Sequence, residues 1–184
     1  MKTFRSVILL KRPQQELWTN MRDHLVEFGE YIADIESIRQ IERTIDADGK
    51  ICIVNEWTVQ RALPAALITM LKVDKFSWID RNKWDEANKV CSWTIQPAVF
   101  GEHIACSGET QFTAAMGNLG TRITFAGELD IKPALLAAVG SVGPMMSGFV
   151  ESIVTTMIPR NMRAVAEAAA EFGGRDRNYP INAP

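Results

Sequence analysis

The chain is poor in the residues on which most metal, nucleophilic and nucleic-acid chemistry depends. It has two histidines, His24 and His103, and three cysteines, Cys52, Cys91 and Cys106, none in a Cys-x-x-Cys spacing. A zinc site needs a clustered set of such ligands, so no metal and no cofactor is expected. An odd cysteine count, with each residue inside a strand-like run, reads as buried free thiols in a reducing compartment. There is no Gly-x-Ser-x-Gly elbow and no Ser/His/Asp pattern. Gly140-Ser141-Val142-Gly143 lacks the lysine and context of a phosphate loop and reads as a hinge. Charge of one sign is also missing: 20 basic and 22 acidic residues leave a net charge of −2, and no Lys/Arg run exceeds two residues. That excludes nucleic acid as a main partner, because phosphate binding requires a gathered basic face. No stretch approaches the roughly 18–20 apolar residues of a membrane span. The apolar run Val7–Leu10 is too short for a signal peptide and reads as a strand. A cytoplasmic protein is expected.

What is present is an ordinary globular balance, 47% hydrophobic and 23% charged in 184 residues, which fits one domain. Phe4–Leu10 reads as a first strand. Pro13 opens a helix whose apolar face carries Leu17, Trp18, Met21, Leu25, Val26 and Phe28, and Gly29 suits its end. Ile35–Ile45 reads as an imperfectly alternating strand, a spacing that either a bulge or a helix would explain. Asp46-Ala47-Asp48-Gly49 then signals a hairpin into Ile51–Gln60. Further strands are predicted at Phe76–Asp80, Val90–Pro97, His103–Ala115 and Thr121–Ile131. Short connections between them require mainly antiparallel pairing.

The last segment, Lys132–Phe172, is long and mostly apolar. Met146, Phe149, Val150, Ile153, Met157, Met162, Val165, Ala169 and Phe172 recur at three- and four-residue steps, the period of one helix face. The longer step spans Pro159, which predicts a kink or break. The expectation is one domain over residues 1–172, with 173–184 a disordered tail.

Several stretches together resemble the START-like helix-grip superfamily, which includes birch-pollen-allergen-like proteins, polyketide cyclases and lipid-transport proteins. Phe4-Arg5-Ser6-Val7-Ile8-Leu9-Leu10-Lys11-Arg12-Pro13 with Leu17-Trp18 is similar to the opening strand and helix. Trp78-Ile79-Asp80 and Trp93-Thr94-Ile95 resemble the central strands, and Gly120-Thr121-Arg122-Ile123-Thr124-Phe125 the strand before the last helix. The resemblance implies an α+β helix-grip fold, a curved antiparallel sheet of about six or seven strands wrapped around a long C-terminal helix. It also implies a hydrophobic small molecule or lipid between sheet and helix; fold alone does not choose between carrying and catalysis.

The expected lining comprises Ile53, Asn55, Trp57, Trp78, Asp80, Trp93, Phe112, Ile123 and Phe125 from the strands. Met146, Phe149, Ile153 and Met157 are expected from the helix. Asn55 and Asp80 are the polar members, and Asp80, at the predicted close of its strand, reads more readily as a turn-end residue than as a buried acid. No catalytic residue is assigned. A cyclase- or aromatase-like activity would need Asp80 or His103 in the pocket. A ligand-free interaction module is a third reading, and the oligomeric state stays open. The glycine- and methionine-rich segment 134–148 reads either as a packing turn or as a gate making transient membrane contact, facing Leu63–Leu71.

Overall fold

Alternation of apolar and polar residues decides the architecture. Seven such runs become the strands β1 (Lys2–Leu10), β2 (Ile35–Ile45), β3 (Ile51–Val59), β4 (Ser77–Asp85), β5 (Val90–Pro97), β6 (Ile104–Ala115) and β7 (Gly120–Ile131). The computed structural model describes residues 1–33, 35–59, 75–99, 101–134, 148 and 158–175. The strands form one curved antiparallel sheet in the order β1-β7-β6-β5-β4-β3-β2. Every neighbour but β1–β7 is sequential, as short connections demand. β2 carries irregularities between Ile35 and Ser37 and between Gln40 and Glu42, which account for its broken alternation.

The β2–β3 hairpin is set by its turn chemistry. Asp46 Oδ1 accepts from the backbone N–H of Asp48 and of Lys50, each at 2.9 Å, and Gly49 takes φ +77°, a conformation glycine adopts without strain.

Between β1 and β2 the predicted single helix breaks at His24 into α1 (Gln14–Asp23) and α2 (Leu25–Gly29). The C-terminal helix α3 is described over Ile158–Arg175, with Pro159 in its second described position. Its inward stripe is Met162, Val165, Ala166 and Ala169, and the alanines, fully buried, allow α1 to approach closely. That approach is fixed by Asn20 Nδ2 donating to the Ala169 carbonyl at 3.0 Å and Arg12 Nε to the Ala170 carbonyl at 2.8 Å. The helix continues past Phe172 to Arg175, and Gly173 lies against Glu16 and Asn20 of α1. No helix among the described residues is long and apolar enough to cross a membrane.

β4 departs most from expectation. The sequence predicts its close at Asp80, where Arg81-Asn82-Lys83 turns polar, but the strand runs five residues further to Asp85. Arg81 and Lys83 lie on the outward face, while Asn82 and Trp84 alternate with them, so the polar run is one face of a continuing strand.

Candidate functional site

The pairing register places all nine expected strand residues on one face. Trp57 lies opposite Trp78, Asn55 opposite Asp80, Asn82 opposite Trp93, Thr110 opposite Phe125, and Phe112 opposite Ile123. This face is the one that α1 and α3 cover. Ile53, Asn55, Trp57, Trp93, Phe112, Ile123 and Phe125 are each at most 7% exposed; Trp78 is half-buried. The four helix residues expected opposite them, Met146, Phe149, Ile153 and Met157, lie outside the described residues, as do the segment 135–147 and Leu63–Leu71.

The face has two ends of different character. At the first, Trp18 of α1 stands edge-on to Trp84 and to Phe112, with ring centroids 4.9 and 5.1 Å apart. Leu17, Met21, Phe28, Ala166 and Ala169 complete the packing. Its polar atoms are mostly bonded: Trp18 Nε1 donates to Glu86 at 2.5 Å, Gln14 Nε2 to the Phe112 carbonyl at 2.7 Å, and Thr121 Oγ1 to the Arg12 carbonyl at 2.7 Å. Trp84 Nε1 is the exception, buried without a partner. Phe112 and Ile123 therefore belong to a packed core.

The other end is built around Asp80. Its side chain sits in mid-strand, 9% exposed, so the expectation of a turn-end residue is corrected: the strand continues, and period two turns Asp80 inward beside Asn55. Burial pushes its carboxyl up to about 6, since a low-dielectric setting disfavours the anion. Weak hydrogen bonding from Asn82, Asn55 and the Trp57 indole opposes the rise, while Oδ1 and Trp57 Nε1 each lack a partner in good hydrogen-bond geometry. Unpartnered buried polar atoms are rare because each costs about 1–3 kcal/mol.

The face carries two stacked aromatic pairs, of which Trp57–Trp78 adjoins this carboxyl and Trp93–Phe125 lies over β6 and β7. Trp57 and Trp78 lie 5.7 Å apart at 14°, and Trp93 and Phe125 4.7 Å apart at 9°. The second pair has a floor that the sequence reading missed. Gly108 and Gly127 are cross-strand partners, and a β-carbon on either would overlap Trp93. Two glycines inside strands are the available signal for such a close approach. Trp93 Nε1 is then anchored by donating to Thr110 at 3.2 Å, with Phe4, Cys106 and Leu129 packed around it.

Neither histidine joins this site. His24 caps the end of α1 and pairs with Glu27 at 2.8 Å, and His103 sits in the turn before β6, 3.3 Å from Glu102. The three cysteines are free; Cys106 is held up to about 11 by burial and Cys91 well above its usual range, so both stay protonated. Among the described residues no group of histidine, cysteine and acidic side chains could hold a metal. A groove of about 620 Å³ runs over the opposite, convex face, bordered by Glu42, Arg81, Lys83, Ser92 and Glu109. Its two basic side chains are engaged locally, Lys83 with Asp46 at 2.5 Å and Arg81 with Gln96 at 3.2 Å.

This combination of a wrapped antiparallel sheet and a C-terminal helix defines a class. The chain has a helix-grip fold. The ZhuI aromatase/cyclase from a Streptomyces species superposes with a TM-score of 0.68 at 15% identity, covering 99% of each chain. A Thermus thermophilus protein, TTHA0849, gives 0.64 at 14% identity over 95% of this chain and 99% of that one. A norcoclaurine synthase point mutant from Thalictrum flavum, in complex with a transition-state analogue, gives 0.60 at 12% identity over 96% of both. At such identities the likeness is one of fold. No protein-family model matches the sequence, and no curated protein matches it.

Proposed function

We propose that this chain binds a hydrophobic small molecule or lipid on the concave face of its sheet, at the Asp80 end, as a single domain spanning residues 1–172 in the cytoplasm. The observation that carries this is the buried carboxyl oxygen without a partner, set beside Trp57–Trp78 on a face that also carries the stacked Trp93–Phe125 pair. Ligand sites commonly have this make-up, apolar and aromatic walls with a few converging polar groups. Affinity would come mainly from desolvated apolar surface, about 25 cal/mol per Å², with Asn55 and Asp80 fixing orientation.

Native mass spectrometry of protein purified without detergent, together with titration by the apolar dye Nile red, tests this. A co-purified apolar adduct, or saturable dye binding weakened by Trp78→Ala, supports it. Absence of both overturns it.

A second reading, cyclase- or aromatase-like catalysis at the same place, is favoured by the Asp80 carboxyl lying near 6, where it can take and return a proton close to neutrality. The named structures with this fold include an aromatase/cyclase. Turnover of a poly-β-keto substrate mimic that is lost in Asp80→Asn while Nile red still binds would support catalysis; binding without turnover leaves a carrier.

A further inference from the structure

The ligand site proposed above also specifies what its occupant should carry, and the identity of that group rests on the site being real. No lysine, arginine or histidine occupies an inward position of β3 to β7, so Asp80 is the one described side chain there that can hold a charge near neutrality. The groups that meet it from neighbouring strands are neutral: Asn55 and Trp57 from β3, and Cys91 from β5, a thiol held protonated by burial. Asn82 on its own strand is neutral too. A carboxylate buried with no cation is costly, because its charge is left uncompensated. A ligand hydroxyl would satisfy Oδ1 but leave that charge in place. An anionic ligand would be repelled.

The aromatic faces point the same way. Trp78 precedes Asp80 by two residues on the same face, with Trp57 stacked on it, and Trp93 stands opposite Asn82. Tryptophan is the strongest of the aromatic partners for an organic cation. We propose that the ligand is an apolar molecule bearing a protonated amine, whose ammonium group donates to Asp80 Oδ1 beside the Trp57–Trp78 pair. No bond is made or broken; the contact is a charge-assisted hydrogen bond. Because only the ionised carboxyl offers this pairing, affinity should fall as pH drops through about 6.

The test compares two matched probes, 2-(2-naphthyl)ethylamine and 2-(2-naphthyl)ethanol, by isothermal titration of the full chain between pH 5 and 8. The alkylamine stays protonated throughout, as lysine does. The expected result at pH 7.5 is amine binding on the order of tenfold tighter than alcohol, a preference that shrinks by pH 5 and is absent in Asp80→Asn. Equal affinities, or a preference for the alcohol, overturn the amine assignment and leave the hydrophobic site intact. If neither probe binds and Nile red does not bind either, the site itself is overturned. The wild-type comparison stands whether or not the Asp80 variant folds.

Discussion

The two ends of the concave face are made from the same residue types and differ in how their polar atoms are treated. Around Trp18, Trp84 and Phe112 the aromatic rings meet edge to face, and all but one of the polar groups named there find a partner. At the Asp80 end the rings stack in parallel pairs, and a carboxyl oxygen and an indole N–H are buried without partners. A core optimised only for stability would not keep an isolated acid, since several kcal/mol can be recovered by replacing it with an apolar or neutral side chain. The contrast teaches that one end holds the fold together, whereas the other gives up stability for a polar group kept available. Stability and function then separate along one sheet, and substitutions can part them.

The largest effect should come from the packed end. Trp18→Ala removes a fully buried ring and is expected to cost about 3–5 kcal/mol in urea unfolding, whereas the half-buried Trp78→Ala should cost roughly 1–2 kcal/mol and act mainly on Nile red binding. Equal costs would erase the distinction between the ends.

Next comes Asp80→Asn. The carboxyl rises from 3.8 to about 6 on folding, so the folded state holds the proton more tightly than the unfolded one. Ionising it therefore lowers stability as pH climbs between those values, and the loss is complete above about 6. The amide escapes that loss, so the variant should be more stable than wild type at pH 7.5, by up to about 3 kcal/mol, and near wild type at pH 4. Parallel stability curves for the two proteins from pH 4 to 7.5 would contradict a buried acid.

Gly108→Ala should destabilise by about 1–3 kcal/mol through overpacking, and should displace Trp93, visible as a change in near-UV circular dichroism. The smallest effect is that of Thr110→Val, which strands the Trp93 indole N–H at a cost of about 1 kcal/mol.

Much of this fold was legible because strand period and turn chemistry are local. Val90–Pro97 is both the predicted and the observed β5, and the Asp46 turn forms the expected hairpin. The shared face of the candidate strand residues was legible for the same reason: nine residues chosen by alternation lie on one side of the sheet. What escaped was information held between strands. Asp80 reads as a strand end because Arg81, Asn82 and Lys83 follow, and only pairing with both β3 and β5 reveals that the strand continues. Gly108 and Gly127 mean little singly; their meaning comes from facing each other under Trp93. Likewise, nothing local distinguishes Phe112, packed under Trp18, from Phe125, stacked on Trp93.

The most direct test is the titration of the Asp80 side chain, followed by the ¹³Cγ shift with and without saturating 2-(2-naphthyl)ethylamine. A midpoint of about 6 in the free protein, moving down when the amine is bound, is the predicted result. A midpoint at the ordinary 3.8 that ignores the amine would contradict both the buried carboxyl and its role as the ligand's polar anchor.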